Sequence, residues 1–103
     1  MPVYSEREFA RAAAYVLRRL RKKQGLSQER AAELVGMSRQ YLTRFEGRGK
    51  GKGHILGPYL LVCFAEVYGV PPGDLLNQIV DYATQYAASR KRKEERHLRR
   101  PTK

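Results

Sequence analysis

Four polar side chains near the middle of the chain have the chemistry needed to bind the edges of nucleic-acid bases. They recur at one- and four-residue intervals, which places them on one face of a helix: Arg39, Gln40, Thr43 and Arg44. An arginine fork can bind guanine, a glutamine amide can bind adenine, and a hydroxyl can serve either base. Simpler roles stay open. The two arginines can be solvated or phosphate-bound cations, Gln40 an ordinary exposed residue, and Thr43 a residue that packs through its methyl group.

The stretch "GRGKGKGH", residues 47 to 54, alternates glycine with Arg48, Lys50 and Lys52. Glycine lets backbone amides approach phosphate oxygens without a Cβ in the way, and the cations add positive charge. The spacing does not fit a nucleotide-binding loop, because Lys52 is followed by glycine instead of Ser or Thr and no strand signal precedes it. The stretch is therefore interpreted as a loop that binds phosphates or as a flexible, solvated insertion.

Neither a catalytic site nor a metal site is indicated. The single cysteine, Cys63, lies in the apolar run "YLLVCFAEVYG", where a buried and unreactive thiol is expected. His54 and His97 are far apart, and no metal-ligand spacing is present. The carboxylates are scattered over charged stretches. We therefore expect no enzyme activity, no cofactor and no metal.

The charge of the chain indicates a polyanionic partner. The formal net charge is +11, and residues 90–103 hold eight Lys or Arg against two Glu, but the remaining residues are also basic. Such an excess favours double-stranded DNA as the partner, with an anionic membrane surface second. No apolar stretch approaches the roughly 20 residues that span a bilayer. The start "MPVYSEREF" does not resemble a secretory signal, so a cytoplasmic location is expected.

Five helices are predicted to carry these residues. Ser5 and Glu8 form the S-x-x-E pattern of a capping box, and they open a helix over about 5–24. Ser27 and Ser38 are the predicted N-caps of two short helices over 28–35 and 38–46. Pro58 suits the first turn of a fourth helix that ends near residue 69, and a fifth helix is predicted over about 74–89. Strand signals are absent, so the predicted fold class is all-α.

The predicted organisation is one helical domain over residues 1–89 followed by a flexible basic tail over 90–103. Within the domain, residues 26–47 read "LSQERAAELVGMSRQYLTRFEG". Two short helices are joined there by a tight turn at Gly36, and apolar spacing allows them to pack at a steep angle. The second helix then projects the four polar side chains described above. This arrangement predicts a helix-turn-helix over 27–46.

The same segment resembles the helix-turn-helix of the Cro/C1-type (XRE) family of DNA-binding proteins. It matches the pattern L-S-Q-E-x-x-A-x-x-x-G-[VM]-S-x-x-x-[IVL]-x-x-[IFL]-E, and the match extends through "VLRRLRKKQG" and "FAEVYGVPPGDLL". The resemblance covers roughly residues 13 to 76 and about a dozen positions agree in order. It implies a five-helix, lambda-repressor-like DNA-binding domain. Its recognition helix would enter the major groove.

The resemblance also implies roles for individual residues. Arg39, Gln40, Thr43 and Arg44 match the positions that face the bases. Gln28 matches a residue that contacts the DNA backbone and braces the recognition helix, and Ser38 matches the start of that helix. Arg21 and Glu46 match a pair that forms an internal ion pair in several relatives. Tyr41 is a packing residue whose hydroxyl can also reach a phosphate. The loop after Glu46 is about four residues longer than in the family, and its extra residues include Arg48, Lys50 and Lys52.

The C-terminal part is longer than the minimal family domain. Its apolar residues can either pack over the first helix or form a dimer surface: Leu76, Ile79, Val80, Ala83, Tyr86 and Ala87. The leading hypothesis is a sequence-specific transcriptional regulator, a repressor that binds a palindromic operator as a homodimer. The alternative is an antitoxin that neutralises a toxin partner and represses its own operon through the same motif. A nonspecific binder of nucleic acid, driven by charge alone, is the third possibility.

Overall fold

The computed structural model describes residues 2–47 and 54–99, the last three by their backbone alone. Within these ranges the chain forms five helices and no strand, which confirms the predicted all-α class. The helices run over these bounds: α1, Glu6–Lys23; α2, Gln28–Val35; α3, Arg39–Phe45; α4, Pro58–Tyr68; and α5, Pro72–Arg99.

The first helix begins where the capping pattern predicts. The Ser5 hydroxyl accepts a hydrogen bond from the backbone N–H of Glu8 (3.1 Å), and the Glu8 carboxylate accepts one from the backbone N–H of Ser5 (2.9 Å). Two of the N–H groups that a helix start leaves unpaired are thereby satisfied. The Tyr4 and Phe9 rings, 6.1 Å apart between centroids, lie on either side of this cap.

The core is built around α1, which buries its apolar face against α3, α4 and α5. The largest fully buried apolar side chains come from four different helices: Leu17, Leu42, Phe64, Tyr68, Leu75 and Ile79. Full burial of such a side chain contributes about 1.5–3 kcal/mol to the free energy of unfolding. Cys63 is half-buried, so the burial predicted for it is only partial. It lies on the flank of α4, whereas its neighbours Phe64 and Ala65 face the core.

The longest packed surface joins α1 and α5, which run antiparallel. The direction follows from three contacts in order along the two helices. Arg90 binds Glu8 (3.0 Å), the Arg11 guanidinium lies 4.2 Å from the centre of the Tyr86 ring, and Arg19 donates to the Tyr82 hydroxyl (3.0 Å). We call this line of contacts the α1–α5 seam. It ties the last third of the chain to the first helix.

The fifth helix is longer than predicted. It begins at Pro72 and runs to Arg99, so the predicted end at residue 89 is wrong, and the part of the tail over 90–99 is helical instead of flexible. Two physical reasons account for the difference. Residues 90–99 are mostly Lys, Arg and Glu, which favour a helix, and no glycine or proline interrupts them before Pro101. Arg90 also fastens this segment to Glu8 on α1 and lies 3.7 Å from Glu94 on its own helix.

The apolar face of α5 is used mostly inside the protein. Ile79, Ala83 and Ala87 are buried in the chain's own core, and Val80 and Tyr86 are half-buried. Of the six residues considered for a dimer surface, Leu76 alone is exposed, at 41%. The structure therefore places this face over the protein's own helices. The hypothesis that all six residues form a dimer surface is wrong.

Candidate nucleic-acid interface

The α2–turn–α3 unit is shaped by two serine N-caps, each of which directly precedes its helix and binds a backbone N–H three residues later. The Ser27 hydroxyl accepts from the backbone N–H of Arg30 (3.0 Å), and the Ser38 hydroxyl accepts from that of Tyr41 (3.1 Å). Between the helices, Gly36 has a φ of 90°, in the left-handed region that glycine adopts without steric cost. The turn therefore ends α2, and Ser38, two residues after Gly36, caps the start of α3.

The third helix has one buried side and one exposed side. Leu42 and Phe45 are 0% and 2% exposed, and they pack into the core. The other side carries the four predicted base-contacting residues, of which Arg39, Gln40 and Arg44 are exposed and Thr43 is half-buried. We call this side the reading face. The structure therefore brings all four side chains to one surface, held by a helix whose opposite side is anchored.

Thr43 differs from the other members of the reading face. Its hydroxyl donates a hydrogen bond to the Arg39 carbonyl oxygen, four residues earlier, at 2.8 Å. The donor is thus used within the helix, and the oxygen remains as an acceptor. A base contact by Thr43 would therefore use that oxygen or the methyl group.

A buried ion pair fixes the end of α3. Arg21 Nε lies 2.6 Å from Glu46 Oε2, and Arg21 Nη2 lies 3.0 Å from Glu46 Oε1. Arg21 Nη1 also donates to the Leu26 carbonyl oxygen, at 2.8 Å. The hydrogen bonds to the Glu46 carboxylate raise the pKa of Arg21 above its usual value. One guanidinium thus joins the end of α1, the start of the α2 segment and the end of α3.

Gln28 adds a fourth contact to this group. Its side-chain amide donates to Glu46 Oε1 at 3.3 Å, and the side chain is half-buried. The first residue of α2 is therefore connected to Glu46, the residue that directly follows α3. The amide oxygen of Gln28 is an acceptor, so it cannot bind a phosphate oxygen. A phosphate contact by Gln28 would have to use its second amide hydrogen.

Two further predicted backbone contacts lie beside the reading face. Ser38 is exposed and its hydroxyl oxygen caps α3, which leaves the hydroxyl hydrogen as a donor. Tyr41 is 41% exposed and its ring packs edge-on against Phe45, with centroids 4.9 Å apart. The packing role and an outward hydroxyl are thus compatible. Arg48, Lys50 and Lys52 lie outside the described residues.

His54 is a member of this region that the sequence does not reveal. Its ring lies edge-on to Phe45 at 5.6 Å between centroids, and 6.3 Å from the Tyr41 ring, while the residue stays exposed. His54 therefore sits against the Tyr41 side of α3. No sequence signal indicates this position, because seven residues lie between Glu46 and His54 and the intervening glycine-rich stretch has no helical periodicity.

The residues that the structure describes show no group of three or more His, Cys, Asp or Glu side chains placed to hold a metal ion. Over the same ranges, no helix combines the length and the apolar character required to cross a membrane.

Comparisons with known proteins agree with the architecture. No curated protein sequence matches the chain. Among solved structures, the chain is similar to the clp gene regulator ClgR from Corynebacterium glutamicum, with a TM-score of 0.73 and 21% sequence identity. The similarity covers 91% of this chain and 96% of that one, and at this identity it shows a shared fold. A family model described as "Helix-turn-helix domain" matches residues 12–79, about two thirds of the sequence. The chain therefore belongs to the helix-turn-helix domain family.

Proposed function

We propose that the protein is a sequence-specific DNA-binding transcriptional regulator of the Cro/C1 type, which reads the major groove with residues 38–46. The observation that carries this proposal is the reading face. Three of its four polar side chains are exposed, while Leu42 and Phe45 on the opposite side are buried and Glu46 is locked to Arg21. A recognition helix requires a rigid support together with exposed hydrogen-bonding groups, and α3 combines both.

The order of the side chains along α3 suits a helix that enters the groove by its N-terminal end. Arg39 and Gln40 are the first two residues of the helix, where base contacts concentrate in helix-turn-helix proteins. Arg39 would bind guanine and Gln40 adenine, because their forked side chains match the paired groups on those bases. Thr43 and Arg44, one turn later, would extend the same reading.

Contacts to the DNA backbone would flank the reading face. Gln28 at the start of α2, Ser38 at the N-cap of α3 and Tyr41 at its side all have hydrogen-bond donors beside the reading helix. The cations Arg48, Lys50 and Lys52 would add phosphate contacts that orient the protein and that depend on salt. His54 packs against the side of Tyr41 and would belong to the same group.

A homodimer acting as a repressor completes the proposal. A seven-residue recognition helix reads few base pairs, and two copies about one DNA turn apart multiply the specificity. Exposed apolar side chains that a second copy would cover are found on α4 and at the start of α5: Tyr59 at 79%, Val62 at 45% and Leu76 at 41%. Tyr59 and Val62 are three residues apart and therefore share a helix face. The repressor role follows the resemblance to phage repressors, and a dimer on its operator would block transcription by occupying the site.

The fold comparison supports the class of function, because the similar structure is that of a gene regulator. The antitoxin alternative requires a C-terminal segment that a toxin can cover. The burial of Leu75, Ile79 and Ala83 in the chain's own core favours the regulator, since this face of α5 is already occupied.

The experiment that tests the proposal is selection of bound duplexes from random DNA, followed by affinity measurement at fixed salt. A specific regulator should bind the selected site roughly 10³-fold or more tightly than random duplex. A ratio near one would leave charge-driven, nonspecific binding as the function. Sedimentation of the free protein and of its complex with the selected duplex would separately test the homodimer.

A further inference from the structure

The outward face of α1 carries a row of cations that takes no part in the reading face. The residues are spaced by four, seven and four positions, so they share one side of the helix: Arg7, Arg11, Arg18 and Lys22. Three are exposed and Arg18 is half-buried. We call them the α1 basic row. At about 1.5 Å per residue, the row is roughly 22 Å long.

In the described part of the chain, acidic side chains do not neutralise this row. The acidic residues of α1 are Glu6 and Glu8, both in its first turn, and Glu8 is bound by Arg90. Among the described residues, no member of the row forms an ion pair. Like charges four residues apart, as in Arg7–Arg11 and Arg18–Lys22, destabilise a helix. An anionic partner would offset this cost.

A DNA duplex fits the row poorly. The seam contacts show that α5 lies alongside α1 in antiparallel order, from Glu8–Arg90 to Arg19–Tyr82. Packed helices have axes about 8–10 Å apart, so the pair is roughly 20 Å wide, whereas the major groove is about 12 Å wide. The α1 face therefore cannot enter the groove as a single helix does. Outside the groove, the convex surface of the helix pair would contact few phosphates of the cylindrical duplex.

Single-stranded nucleic acid also fits less well, because the tyrosines beside the row already contact neighbours within the protein. Arg11 covers the Tyr86 ring at 4.2 Å, and Tyr15 packs edge-on with Tyr82 at 4.9 Å between centroids. Binding of single strands draws much of its strength from bases that stack on exposed aromatic rings. These rings are already occupied by neighbours within the protein.

We propose that the α1 basic row binds an extended acidic segment of a partner protein. Successive residues of each i,i+4 pair are about 6 Å apart along the helix, and alternate side chains of an extended peptide are about 6.6 Å apart. Carboxylates at every second residue can thus meet both cations of a pair, and three of the four cations are arginines, which bind carboxylates at two points. The proposal does not depend on DNA binding by α3.

The test uses the full chain and a fluorescently labelled peptide of about ten residues in which Glu and Ser alternate. The variant Arg7→Gln/Arg18→Gln/Lys22→Gln removes three charges from the row and leaves the Arg11–Tyr86 contact in place. The matched control Arg30→Gln/Arg39→Gln/Arg44→Gln removes three charges from α2 and the reading face. Fluorescence anisotropy should show about a tenfold loss of peptide affinity for the row variant and at most a small loss for the control.

Equal losses in the two variants would overturn the proposal, since they would indicate attraction by net charge alone. The same two variants are titrated with a labelled thymidine oligonucleotide and with random duplex. A loss for the row variant that is larger with either nucleic acid than with the peptide would assign the surface to nucleic acid and would also overturn it. Circular dichroism checks that both variants are folded. If either is not, the single reversals Lys22→Glu and Arg30→Glu provide the same comparison with a smaller change.

Discussion

Arg21 and Glu46, 25 residues apart in sequence, form a two-point ion pair inside the protein, with N–O distances of 2.6 and 3.0 Å. Their side chains are 9% and 2% exposed. Breaking a buried pair by removal of one charge leaves the other without compensation, which typically costs about 3–5 kcal/mol. The pair therefore supports α3 structurally. Because both side chains are buried, neither can contact a base or a phosphate.

The first prediction concerns this pair. Glu46→Gln should lower the free energy of unfolding by about 3 kcal/mol or more, because the buried Arg21 guanidinium loses its counter-charge. Urea denaturation followed by circular dichroism measures the change. The matched control is Glu33→Gln, which breaks the exposed Arg30–Glu33 pair (3.0 Å) and should cost under about 1 kcal/mol. Similar costs for the two variants would show that the buried pair has no special role.

The second prediction concerns the attachment of α5. The hydrogen bonds from Arg90 hold the pKa of Glu8 below its usual value. A carboxyl whose pKa is lowered on folding contributes stability above its unfolded pKa, and it loses this contribution as the pH falls through the folded value. Arg90→Gln should therefore lower the melting temperature at pH 7, and the difference from wild type should shrink as the pH falls through the lowered pKa of Glu8.

The control for this variant is Arg92→Gln, which removes an exposed arginine that donates to the Ser89 hydroxyl at 3.3 Å and forms no ion pair with any described residue. Its effect should be smaller at pH 7 and should not depend on acidification. Hydrogen exchange of residues 91–95 gives a second readout, because loss of the Arg90–Glu8 contact should speed exchange in the last turns of α5. If the Arg90→Gln difference persists unchanged into acid, Glu8 is not the group responsible.

The third prediction concerns Tyr68, whose ring is fully buried. Its hydroxyl has no hydrogen-bond partner among the described residues, and burial, followed by the charge of Glu46, raises its pKa well above 10.0. Removing an unpaired buried hydroxyl relieves a desolvation penalty, so Tyr68→Phe should raise the free energy of unfolding by about 1 kcal/mol. Most large-to-small substitutions at buried positions instead lower the free energy of unfolding.

The pH dependence of the same variant gives an independent check. Above pH 10 the unfolded chain ionises this tyrosine while the folded protein keeps it protonated, so wild-type stability should fall with rising pH. Tyr68→Phe lacks this group, and its stability advantage should therefore grow between pH 10 and 11. An advantage that stays constant over this range would mean that the hydroxyl is not held in its protonated form.

The fourth prediction concerns base reading by Arg39. Arg39→Ala should cost about 1–3 kcal/mol at the selected site and should relax the preference at one base position. Binding to the site and to its single-base variants measures both effects. The control, Arg30→Ala, removes an exposed cation of α2 that is paired with Glu33. Equal weakening of all sequences by Arg39→Ala would indicate a phosphate contact in place of a base contact.

The fifth prediction concerns the glycine-rich loop. Lys50→Ala combined with Lys52→Ala should weaken binding to all duplexes alike, and it should flatten the slope of log affinity against log salt by about 2 units if both residues contact phosphates. The control, Lys23→Ala combined with Lys91→Ala, removes the same charge from α1 and α5. An unchanged slope in the loop variant would show that the loop does not touch DNA.

The accuracy of sequence interpretation differs along the chain for physical reasons. The starts of α1, α2 and α3 are predicted within a residue, because Ser5, Ser27 and Ser38 each cap a helix through a partner three residues away. The position of His54 and the end of α5 are not predicted. His54 is placed by its contact with Phe45 across the glycine-rich loop, and the attachment of α5 depends on Glu8, 82 positions earlier in the chain.

The sequence by itself determined the five helices up to residue 89, the helix-turn-helix and the set of polar side chains on the reading face, because caps, turns and helical periodicity act over a few residues. The tertiary structure alone decided what those elements pack against. It buried Ile79, Ala83 and Ala87 in the protein's own core, fastened α5 to Glu8 through Arg90, and left the α1 basic row facing outward. A periodic apolar face indicates that burial will occur, but the partner is chosen by packing between helices that are far apart in sequence.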